Sequence, residues 1–136
     1  MKDAFQALED NIRVIINLVE RNDYNSSRRF CTYLITTYTF LDYDDGILIF
    51  EILESVMDQI EDGLGFFEIS DDVKNDLSKQ IIKQLGIILT SYNNKNKEQL
   101  YDSLKEIRSI ATRFQLIQCT FSKPINKKPP ELLEIK

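Results

Sequence analysis

The chain is expected to be all-α, an up-and-down bundle of four to five helices with a short extended C-terminal tail. Three observations predict this. Apolar residues recur at spacings of three and four through most of residues 1–121, and polar clusters such as Arg21-Asn22-Asp23 and Asn93-Asn94-Lys95-Asn96-Lys97 separate the periodic segments. All three prolines, Pro124, Pro129 and Pro130, fall where the periodicity has already collapsed. A length of 136 residues with 43% apolar content suits one continuous core, so the expected division is a helical bundle over 1–121 and a tail over 122–136.

The first helix is predicted from Asp3 to Arg21, with Phe5, Leu8, Ile12, Ile15, Ile16 and Val19 on one side and Glu9, Asp10, Arg13, Asn17 and Glu20 on the other. Asn22 and Asp23 then supply a stop and a new N-cap. Residues 25–42 are rich in threonine and aromatics, which favour strands on propensity alone. Phe30, Leu34, Tyr38 and Leu41 nevertheless share a helical stripe, and no partner strand lies nearby. A helix apolar on several sides is expected to be central in the bundle. Arg28 and Arg29 sit at its unfavourable, N-terminal end, where a carboxylate partner would offset the cost.

Asp42, Asp44 and Asp45 open the third helix, whose apolar side is Ile49, Leu53, Val56 and Ile60 with Phe50, Ile52 and Met57. Gly63 and Gly65 are expected to end it, leaving Phe66 and Phe67 either tucked under the bundle or exposed as a contact patch. Ser70 or Asp71 caps the fourth helix, with its stripe Val73, Leu77, Ile81, Leu85, Ile88 and Tyr92. The fifth, joined to it as an antiparallel hairpin, carries Leu100, Leu104, Ile107, Ala111, Phe114 and Ile117 and runs to about Cys119.

Charge is distributed unevenly. Residues 42–72 hold eleven carboxylates and no Lys or Arg, 1–41 has five acids and five bases, and 73–136 has six acids against twelve bases. Glu51, Glu54, Asp58 and Glu61 stack on one face of the third helix, where like charges repel by a few tenths of a kcal/mol per pair. Compensating bases are expected across the bundle from the last two helices, among them Lys74, Lys79, Lys83, Lys105, Arg108 and Arg113.

The composition also excludes chemistries. With no histidine there is no Ser-His-Asp or Cys-His system and no histidine-ligated zinc. The four glycines match no phosphate-cradling motif. Cys31 and Cys119 fall inside apolar helical patterns and are expected to be buried, reduced thiols, in keeping with a cytoplasmic location. No apolar run approaches the ~20 residues that span a bilayer, so no membrane is expected. The acidic middle would repel phosphates, so nucleic acid is not an expected partner.

Oxygen-ligated metal chemistry survives that elimination. Glu51-Ile52-Leu53-Glu54 followed by Glu68-Ile69-Ser70-Asp71 resembles the ExxE…ExxD signature of the all-α nucleoside triphosphate pyrophosphohydrolases. The resemblance covers about twenty residues. It implies magnesium held by Glu51, Glu54, Glu68 and Asp71, bridging phosphate oxygens and activating a water.

The favoured reading is a non-enzymatic interaction or adaptor protein with no cofactor, meeting a protein partner or a second copy of itself as a homo-oligomer. Its expected docking surface is Glu51, Glu54, Asp58 and Glu61 with Phe66 and Phe67. A second docking element is the tail, where stiff Pro129-Pro130 lead to Leu132, Leu133 and Ile135. The magnesium-dependent hydrolase is the alternative.

Overall fold

The computed structural model describes residues 4–125 and is an all-α bundle of five helices. They are α1 (Ala4–Glu20), α2 (Tyr24–Phe40), α3 (Asp44–Phe66), α4 (Asp71–Asn93) and α5 (Lys97–Arg113), the last continued by a π-helical segment, Phe114–Cys119. The helices close a ring in the order α1, α2, α3, α5, α4, so that α3 and α4, although consecutive, are separated by α5. One apolar core runs through the ring from Leu8 and Ile12 to Phe114 and Cys119. The predicted tail residues Pro129, Pro130, Leu132, Leu133 and Ile135 lie outside the described residues.

Three of the four connections are the same device. After α1, α2 and α4 the chain places one residue, Asn22, Asp42 or Lys95, in the left-handed region at φ 56, 54 and 56°. The next N–H then returns to the carbonyl five residues back: Asp23 to Leu18, Tyr43 to Tyr38 and Asn96 to Ser91. That same returning residue opens the following helix. Asp23 and Asn96 accept the Ser26 and Gln99 amides at 3.0 and 3.1 Å, while Tyr43 relies on Asp44 and Asp45 in the first turn. The amide of Ser26 also holds the Asp23 carboxyl below its usual pKa. Asn and Asp tolerate a left-handed backbone; lysine does not. Lys95→Gly is therefore expected to raise stability by about 1 kcal/mol in urea unfolding, by relieving that strain.

The fourth connection, 67–70, is extended. Phe67 forms an antiparallel bridge with Pro124, with Glu68 N–H donating to the Lys123 carbonyl at 2.8 Å and Ile125 N–H to that of Phe66 at 2.9 Å. Helix α4 is registered by polar contacts with its neighbours. Buried Ser78 bonds Tyr24 at 2.7 Å and also reaches Asn22, pinning α4 to the α1–α2 corner, while Ser103 reaches the Gln84 carbonyl from α5 at 3.1 Å.

Several sequence expectations need correction. Helix α2 is not central: its neighbours are α1 and α3, and Tyr33 and Phe40 are exposed. It is helical despite its threonines because Thr36 and Thr37 donate to the carbonyls four residues back, satisfying their hydroxyls within the helix, while Thr32 gives its proton to Glu54 of α3. Leu41 leaves the core because α2 has already ended at Phe40. Neither Gly63 nor Gly65 stops α3, which continues to Phe66. Gly63 is a packing residue instead, since a Cβ there would lie 2.6 Å from the Phe114 ring and 2.8 Å from the Cys119 sulfur.

Candidate functional site

The acidic ladder of α3 is engaged from α2. Arg28 Nε donates to Glu61 Oε1 at 2.8 Å and lies 3.8 Å from Asp58 Oδ1, and Thr32 donates to Glu54. The bond to Glu61 and the charges of Glu61, Asp58 and Glu54 raise the guanidinium pKa further, fixing its positive charge. The base that tempers the repulsion thus comes from the second helix. Among the described residues, no Lys or Arg of α4 or α5 forms an ion pair with α3. The ladder is first a means of seating α2 on α3. Glu51 is exposed, one turn beyond Thr32's partner Glu54.

The four residues of the ExxE…ExxD pattern do not converge. Glu51 and Glu54 belong to α3, Glu68 lies in the extended connection, and Asp71 opens α4, which packs on α1 and α5 rather than along α3. Among the described residues, no group of three or more His, Cys, Asp or Glu could hold a metal ion. Facing pairs would have required α3 and α4 to lie side by side.

The two phenylalanines of the predicted patch separate. Phe67 is half-buried against the core and bridged to Pro124, whereas Phe66 is 66% exposed. Exposed apolar residues also gather on the segment that follows α5. Its stripe is predicted to continue from Phe114 to Ile117, but the π-helical turn widens the repeat and brings Cys119 inward, five residues on. Ile117 is turned out to 51% exposure, with Leu116 at 64% and Phe121 at 86%. Ile117 and Phe121, four residues apart in a continuing helix, share a side.

Ile117 forms one wall of a groove of about 340 Å³ between the start of α4 and the end of α5. Val73, Leu77, Ile110 and Phe114 contribute its apolar surface, with Asp72 and Asp76 on the α4 side and Arg113 on the α5 side. Arg113 also meets Glu106 at 3.1 Å, an exposed contact of little energetic weight. On the other side of the π-helical segment, Gln59 donates to Gln115 at 2.5 Å, locking the segment to α3.

Leu116, Ile117 and Phe121 were legible only as an interval: Phe114 and Cys119 are five apart, which fits a π turn better than an α turn. Arg28 was signalled by its place beside the start of α2, where only a carboxylate partner makes an arginine favourable. No family model, no curated protein and no solved structure matches the chain. Among the described residues, no helix is long and apolar enough to cross a membrane.

Proposed function

We propose that the protein is a non-enzymatic helical interaction protein, acting in the cytoplasm and docking through the apolar surface at the end of α5. The carrying observation is the π-helical turn that holds Ile117 out of the core, with Phe121 on the same side and Leu116 exposed next to Ile117 in sequence. Large side chains exposed together mark a contact surface more often than single ones do. Beside the same segment, Asp58 and Asp62 of α3 share a polar groove with Arg108 and Gln115, which adds charge near this surface. Two buried free thiols suit a reducing compartment.

The magnesium-dependent hydrolase finds less support, because Glu51, Glu54, Glu68 and Asp71 stand on elements that do not face one another. Cross-linking mass spectrometry in cell extract tests the docking reading. The parent chain is expected to cross-link to protein partners, itself included, that a Leu116→Ser, Ile117→Ser, Phe121→Ser variant loses. An unchanged set of partners would remove this surface from the account. A magnesium-dependent nucleotide hydrolysis abolished by Glu51→Gln would overturn the non-enzymatic reading altogether.

A further inference from the structure

We infer that the occupant of the α4–α5 groove is a second copy of this chain, in a two-fold dimer. The inference rests on the docking reading above and adds the partner. A two-fold interface uses one patch twice, so that patch must complement itself in both apolar surface and charge. The groove meets both requirements. Its apolar residues lie between acids on one wall, Asp72 and Asp76, and a base on the other, Arg113. A two-fold axis along the groove places each Arg113 opposite the partner's acids and Ile117 of each copy on the apolar lining of the other, with Phe121, on the same side of its helix, at the edge of the contact. A surface shaped only for a basic or only for an acidic partner would carry one sign.

The chain after the groove is tied back to the bundle, since residues 123–125 run antiparallel to 66–68, with the Glu68 N–H on the Lys123 carbonyl and the Ile125 N–H on that of Phe66. Exposure of 51% at Ile117 and 86% at Phe121 also means that neither is spent on the monomer's own core.

Sedimentation velocity over a range of concentrations tests the dimer, with thermal unfolding as the check that each variant folds. The parent chain is expected to dimerise reversibly. Ile117→Glu with Phe121→Glu should weaken dimerisation by about 100-fold or more, since it places charge on the apolar part of the contact. Arg113→Glu alone should weaken it by about 10-fold through like-charge repulsion. Adding Asp72→Arg and Asp76→Arg to Arg113→Glu should restore the affinity, because a two-fold dimer carries the exchanged charges on both sides. A chain that stays monomeric at high concentration overturns the inference, as does a dimer indifferent to the Ile117 and Phe121 changes. If the chain is monomeric but the same surface cross-links to a foreign protein, the dimer falls and the docking reading stands.

Discussion

Gly63→Ala is expected to destabilise the bundle by about 1–2 kcal/mol, although it replaces a poor helix former with the best one. In an open helix interior the exchange would gain about 0.5–1 kcal/mol. Gly86 supplies that comparison within the same chain, since nothing lies within 4 Å of its Cβ position. At Gly63 the added methyl would sit 2.6 Å from Phe114 Cε1, 2.8 Å from Cys119 Sγ and 3.2 Å from Phe114 Cζ. Phe114 is 4% exposed and Cys119 3%, so neither has solvent to retreat into. Relief requires the π-helical segment to move off α3. Urea unfolding should therefore show opposite signs at the two glycines, and Phe114→Leu should cost less in the Gly63→Ala background than in the parent. A thiol reagent offers a second measure, because displacing the segment exposes Cys119. Equal gains at Gly63 and Gly86 would mean that the segment is not seated on Gly63.

That contact shows how far the sequence could be read. Four of the five stripes were legible because an α-helix repeats faithfully: Leu8, Ile12, Ile15 and Val19 in α1, or Leu77, Ile81, Leu85 and Ile88 in α4, are all buried where the period puts them. The period failed where the backbone left it. A π turn after Arg113 shifts every later residue round the axis, so Ile117 comes out and Cys119 goes in. Gly63 misled for a related reason. Glycine at a helix end and glycine beneath a neighbouring ring look identical in one dimension, and only the arrival of Phe114 from fifty residues away distinguishes them.

Charge was legible as amount but not as partner. The eleven carboxylates of 42–72 stand in the sequence for anyone to count, yet which base faces them depends on helix order in the ring. Because α2 rather than α4 flanks the face bearing Glu54, Asp58 and Glu61, one arginine of an otherwise balanced segment does what bases of the last two helices were expected to do. The same ordering separates Glu68 and Asp71 from Glu51 and Glu54. A short motif constrains spacing along the chain; it says nothing about which helices become neighbours. The Tyr24–Ser78–Asn22 bonds fit that ring order, holding α4 to the α1–α2 corner.

Burial governs the response to alkali. Burial raises the Tyr24 phenol to about 12 against the opposing pull of its bond to Ser78, and burial with the nearby Glu54 charge raises the Cys31 thiol to about 12. In the unfolded chain these groups ionise near their ordinary values of 10.0 and 9.0. Both are neutral when protonated, so the folded state retains protons that the unfolded state releases. Stability is then fully present below about pH 9 and falls as pH rises toward 12. Each group removes about 1.4 kcal/mol per pH unit within its own window, Cys31 from pH 9 and Tyr24 from pH 10. Over those windows the combined loss reaches several kcal/mol, a large part of what a small domain possesses. Tyr24→Phe isolates one contribution. Near pH 7 the variant should be less stable by about 1 kcal/mol, having lost the bond to Ser78. Above about pH 11 the order should reverse, because phenylalanine has no proton to release. Urea titrations of the two proteins between pH 7 and 12 should therefore cross; parallel curves would mean that the Tyr24 phenol is open to solvent and that the α1–α2 corner is not sealed against α4.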